Sequence, residues 1–142
     1  MGIRYQDDVL GWAGEQAALL RARRLDALDL PNIAEEIEDV GKSAQREVGS
    51  RLSVLLAHLL KWQFQPERRS KSWQATIRAQ RTGIAHALHK SPSLRHLLDD
   101  EGWLEVIWQD AVALAQADTS LDFPDQWAWA LEQVLDPGFW PD

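Results

Sequence analysis

Cysteine is missing from these 142 residues. That excludes disulfide bridges and thiolate chemistry, and it suits a reducing compartment, so a cytoplasmic location is expected. No run of about 18 apolar residues occurs, so no membrane span and no membrane partner are expected. The best stretch, Leu52 to Leu60, is too short. The opening MGIRYQDD lacks the apolar core of a secretory signal. Strand-type alternation, internal repeats and low-complexity segments are missing too. Cations are in short supply, with 15 Lys and Arg against 22 Asp and Glu and a net charge of -7. Nucleic-acid modules are usually basic, so the overall balance argues against one. A chain of this length suits one domain, taken here as residues 1–142. It buries roughly two thirds of its unfolded surface without needing a disulfide or a metal.

What is present is uneven. Residues 1–60 carry seven Lys and Arg against ten Asp and Glu, residues 61–90 seven against one, and residues 91–142 one against eleven. The basic middle either meets the acidic end within the domain, the commoner arrangement, or faces a phosphate backbone or an acidic partner.

The periodicity is helical throughout. A first helix is expected from about Gln6 to Arg24, with Tyr5, Asp8, Trp12, Gln16 and Leu19 on one stripe. A long second helix runs from about Leu30 to Gln63 behind Asp29 as N-cap, on a stripe from Ile33 through Ile37, Val40, Val48, Leu52 and Leu59. Gly41 and Gly49 lie inside it, where each permits a bend or the close approach of another helix. Pro66 stops this helix. Ser70 or Ser72 starts a third, which runs to about Lys90. Ser91-Pro92 opens a fourth through Leu94, Leu97 and Leu98, and a further run follows from Trp103 to Leu114. A last helix is expected near Asp125 to Leu135, with the tail Asp136 to Asp142 folding back to pin Phe139 and Trp140. The fold class is therefore all-α: a bundle of five or six mostly antiparallel helices with one long central helix.

Several stretches resemble one family. His58 to Trp73, HLLKWQFQPERRSKSW, carries the strongest resemblance. Tyr5, Asp8, Trp12 and Gln16 near the start add to it, as do Asp29 to Leu52, Thr76-Ile77-Arg78 and Leu135-Asp136-Pro137. The chain is similar, over nearly its whole length, to the bacterial family called domain of unknown function twenty-nine. The resemblance implies an all-helical bundle. It implies no activity and brings no catalytic residues to carry over.

Three functional readings follow. The turn after Pro66 sets Arg68, Arg69 and Lys71 beside Trp73, with Arg78 and Arg81 on the next helix, a candidate set for an anion or a nucleic acid. Antiparallel geometry brings Asp8, Arg51, His58 and Lys61 towards Arg78 and Arg81, either as a structural polar network or as an enzyme pocket. Eight tryptophans are many for this length. Most suit a core, whereas Trp127, Trp129 and Trp140 are candidates for a partner interface. Trp127 and Trp129 diverge if the segment is helical, which would leave one of them at the surface. No nucleophile setting, phosphate loop or zincin spacing occurs, and no Glu-x-x-His pair either, so no catalytic residue, cofactor or metal is expected. The reading of choice is a non-enzymatic interaction or regulatory module that binds another protein, with nucleic acid as the alternative and self-association left open.

Overall fold

The computed structural model describes residues 2–142. It is all-α, with five α-helices, the first four joined through 3-10 segments: α1 (Val9–Arg21), α2 (Leu30–Phe64), α3 (Lys71–Lys90), α4 (Glu101–Thr119) and α5 (Leu131–Leu135). No described residue is in a strand. The chain forms two compact units, the first ending at Ser43 and the second spanning Ala44–Asp142.

In the first unit, α1 starts three residues later than the periodicity suggests. Asp8 is an exposed N-cap whose carboxylate accepts the Gly11 N–H at 3.0 Å. Its place on the stripe is thus the capping of a helix end rather than the lining of a core. The helix closes with Arg23 in the left-handed region, φ 57°. The Arg24 N–H reaches back to the Leu19 carbonyl at 2.9 Å, the six-residue closure usually built on glycine.

The second unit holds the core. Val48, Leu52, Leu55, Leu56, Leu59 and Leu60 of α2 are fully buried. They meet Ile77, Ile84 and Leu88 of α3 and Ile107, Trp108, Ala111 and Ala115 of α4. α2 runs unbroken through both glycines. Gly49 is where α4 comes close: a Cβ there would stand 3.1 Å from Ile107 Cδ1. Pro66 ends α2 in a 3-10 turn (Pro66–Arg68), and Ser70 Oγ then accepts the Trp73 N–H at 3.2 Å to start α3. Asp100 does the same for α4 through the Trp103 N–H at 3.1 Å.

Two expectations are corrected here. The fourth helix, Pro92–Asp99, is 3-10 rather than α. Leu94 and Leu97 are both buried, and a three-residue turn places such a pair one above the other. The last α-helix begins only at Leu131. Trp127 and Trp129 both turn onto Trp108, with ring centroids 5.5 Å and 5.9 Å away. Positions two apart on a helix cannot both face inwards, so the segment stays irregular and neither ring is left outside.

Candidate functional site

The five cations proposed for an anion or nucleic acid do different things. Arg81 is 5% exposed. Its Nε donates to the Val134 carbonyl at 2.9 Å, Nη1 to Pro137 at 3.4 Å and Nη2 to Phe139 at 2.7 Å. Burial lowers its pKa from the usual arginine value, partly opposed by the charge of Asp136. Arg69 is engaged in the same way, its Nε on the Trp62 carbonyl at 2.8 Å and Nη2 on Pro141 at 3.3 Å. These two guanidiniums fold the C-terminal tail back onto the hairpin, as expected for Phe139 and Trp140. Trp140 packs on Trp62 with centroids 4.8 Å apart, and the guanidinium carbons of Arg78 and Arg81 lie 5.6 Å and 5.5 Å from its ring. Planar guanidiniums over indole faces suit this packing. Arg68, Lys71 and Arg78 keep exposed side chains.

Within the second unit, the residues expected to converge do not form one cluster. Asp8 belongs to the first unit. In the second, Arg51 stands level with Gln80 and Gly83, close to the register drawn from the hairpin. Its Nε meets Glu47 Oε1 at 3.3 Å and its Nη1 meets Gln80 Oε1 at 3.2 Å. Arg81, on the same stretch of α3, turns instead to the tail. Lys61, only 7% exposed, is held by Asp118 Oδ2 at 3.0 Å and lies 5.3 Å from the Trp73 ring centroid. His58 Nδ1 sits 2.8 Å from the Val54 carbonyl, which calls for the proton on that nitrogen. Burial lowers the His58 pKa; the Val54 carbonyl opposes this, Lys61 reinforces it and Asp118 opposes it. No buried side-chain polar atom among the described residues lacks a partner. Nor do any three of their His, Asp or Glu side chains gather as a metal-binding set.

The tryptophan-rich end is half-buried. Three indole N–H groups there are used internally: Trp108 on the Pro124 carbonyl at 2.9 Å, Trp127 on Leu104 at 3.0 Å, Trp129 on Gln63 Oε1 at 3.1 Å. The rings of Trp127 and Trp129 line a cleft of about 580 Å³ between α4 and the segment that follows it.

The first unit presents the feature that periodicity alone hides. Beside the edge-on packing of Tyr5 on the buried Trp12, with centroids 4.9 Å apart, its inner contacts are polar hydrogen bonds. The Tyr5 hydroxyl donates to Glu36, Trp12 Nε1 donates to Asp29 Oδ2 at 2.9 Å, and the Asp29 N–H donates to Gln16 Oε1 at 2.8 Å. The Asp29 pKa is lowered, chiefly by the Asn32 amide, with desolvation opposing and Trp12 reinforcing. The Tyr5 pKa is pushed up to about 12, first by its bond to Glu36, then by desolvation and the nearby carboxylates. Meanwhile apolar residues face out. Ile37 is 68% exposed, Val40 73% and Leu10 85%, with Leu30 also exposed. Leu30, Ile33, Ile37, Val40 and Ala44 recur at alternating steps of three and four, the spacing of a helix-to-helix seam. The stripe that makes the core from Val48 onward is thus largely exposed before it at Leu30, Ile37 and Val40, with Ile33 and Ala44 half-buried. Sequence reasoning saw this stripe but not its exposure. It also missed Asp118 as the partner of Lys61 and Asp29 as the hub under Trp12, because no local spacing ties those residues together.

Among the described residues, no helix is long and apolar enough to cross a membrane. No curated protein and no solved structure matches the chain. A family model described as domain of unknown function DUF29 matches residues 4–140, nearly the whole chain, and the protein belongs to that family.

Proposed function

We propose that the protein is a non-enzymatic interaction module that docks another protein on the first half of α2. One observation carries this: the first half of α2 presents Leu30, Ile37 and Val40 to solvent, while the residues beneath it are tied up by Tyr5, Trp12 and Asp29. An apolar face in water is unfavourable, and covering each such side chain contributes about 1.5–3 kcal/mol. The seam spacing suits an amphipathic helix as the occupant. Glu35 and Glu38 stand exposed beside it, so the helix that fits carries basic flanks.

The other readings have less support. Arg69 and Arg81 are spent on the tail, which leaves Arg68, Lys71 and Arg78 for an anion or a nucleic acid. The polar residues suggested for an enzyme pocket are paired separately, Lys61 with Asp118 and Arg51 with Glu47.

The test is affinity capture of the tagged protein from its own lysate with and without nuclease, read by mass spectrometry. It is run beside an Ile37→Asp/Val40→Asp variant. A stoichiometric protein held by the parent and lost by the variant is the expected result. Equal capture by both would remove the seam from consideration, and loss on nuclease treatment would turn attention to the basic hairpin. Light scattering on the eluting protein identifies a second copy as the occupant if the mass doubles.

A further inference from the structure

The cleft beside α4 is a separate matter from the seam and lies wholly within the second unit. Its floor is aromatic and aliphatic: Trp108, Trp127 and Trp129 with Leu104 and Leu131. Its rim carries Glu101, Glu105 and Asp125, all exposed. Because all three indole N–H groups are already bonded within the protein, the tryptophans offer an incoming group their π surfaces and no donors. Among the described residues no lysine, arginine or histidine lines the cleft. The surrounding segment, residues 91–142, has a single arginine against eleven carboxylates. The backbone carbonyls of Leu104 and Pro124 are taken up by indoles.

We propose that this cleft is a binding site for a cationic amphipathic peptide segment of another protein. An arginine or lysine would stack on the Trp127 and Trp129 rings and pair with the rim carboxylates, and a neighbouring apolar side chain would settle against Leu104 and Leu131. Indole faces attract cations through their quadrupole, and the attraction grows as the cation is desolvated. A volume near 580 Å³ falls in the range of ordinary ligand clefts and holds a few side chains. The acidic rim raises the local concentration of basic segments and repels acidic ones. A quaternary ammonium small molecule shares part of this chemistry, but the apolar floor at Leu104 and Leu131 asks for a second, uncharged group beside the cation.

The test uses the full chain and a short blocked peptide alternating leucine with arginine, with a leucine–glutamate peptide of equal length as control. Binding is followed by calorimetry and by intrinsic tryptophan fluorescence. The expected result is binding of the basic peptide alone, weakened by salt. It should also be about tenfold weaker in a Glu101→Gln/Glu105→Gln/Asp125→Asn variant, the scale set by three exposed ion pairs. Those side chains are on the surface, so the variant keeps its fold, which circular dichroism checks. A Trp127→Phe variant keeps a ring but a poorer cation acceptor, and affinity should fall there as well. No binding, equal binding of both peptides, or an unchanged affinity in the carboxylate variant would each overturn the proposal. None of these outcomes bears on Ile37 and Val40, so failure here leaves the seam untouched. Tight binding of tetramethylammonium with none of the peptide would likewise reject it in favour of a small cation.

Discussion

Arg81 Nη2 donates to the carbonyl oxygen of Phe139 at 2.7 Å, across 58 residues of sequence. With its bonds to Val134 of α5 and Pro137, this single side chain satisfies one helix carbonyl and two carbonyls of the tail that follows. Arg81→Met leaves those acceptors without a donor in a buried place. The loss expected in urea unfolding is about 3 kcal/mol, since each orphaned buried group costs about 1–3 kcal/mol. Arg81→Lys should rescue little, because one ammonium cannot reproduce the planar fork. Arg68→Ala, on an exposed side chain a few residues away, should stay within about 0.5 kcal/mol of the parent.

His58 predicts a pH dependence. Its folded pKa lies below the ordinary 6.5, chiefly through burial. The unfolded chain therefore binds its proton first as pH falls, and stability declines with acidity. The contribution is complete above the unfolded value of 6.5 and is lost as pH drops through the folded value. Urea midpoints measured in mildly alkaline and mildly acidic buffer should differ in that direction. His58→Gln should reduce the difference; an unchanged slope would assign it to other groups.

Tyr5 is the only tyrosine in the chain, so an ultraviolet titration of phenolate reads one residue. Its midpoint should lie near 12 rather than the ordinary 10.0. In linkage terms the phenol is favoured by the fold, so its contribution is present below the unfolded value and is lost as pH rises through the folded one. Glu36→Gln removes the first cause of the shift and should bring the midpoint down towards 10.0.

Arg23 holds a left-handed backbone, φ 57°, that costs a side-chain-bearing residue about 1–2 kcal/mol. Arg23→Gly should therefore stabilise the first unit by up to about 1 kcal/mol, after the greater freedom of glycine in the unfolded chain is counted. Amide exchange along α1 reads it out. Slower exchange at Leu19 to Arg21 is the expected result, and faster exchange would show that the arginine side chain contributes something the glycine lacks.

The helical course of the chain was legible because its determinants are local. Pro66 and the Ser70 hydroxyl bracket a turn within five residues, and Ile77, Ile84 and Leu88 repeat at the period of the helix they form. The 3-10 run at Pro92–Asp99 was harder, since Leu94, Leu97 and Leu98 satisfy either helix type. The segment around Trp127 misled for a physical reason: two rings competing for one side of a helix make the helix give way. Site residues were less legible. The assignment of Arg69 and Arg81 to a ligand followed from their charge, whereas sequence spacing does not show that each also holds a carbonyl more than fifty residues distant. Whether the stripe through Ile37 and Val40 is covered depends on what stands opposite it, and a one-dimensional pattern records periodicity without recording neighbours.

The tail clasp imposes an order on biosynthesis. Arg69 and Arg81 leave the ribosome well before Val134, Phe139 and Pro141, the residues whose carbonyls they hold. During elongation Arg81 at first has none of its three acceptors, and Arg69 has only the Trp62 carbonyl and ring until Pro141 and Trp140 arrive. The clasp therefore forms only after the core residues of α2, α3 and α4 have all been made. Replacing Phe139 to Pro141 by a disordered stretch would leave Arg81 and Arg69 each short of a carbonyl that they hold in the fold.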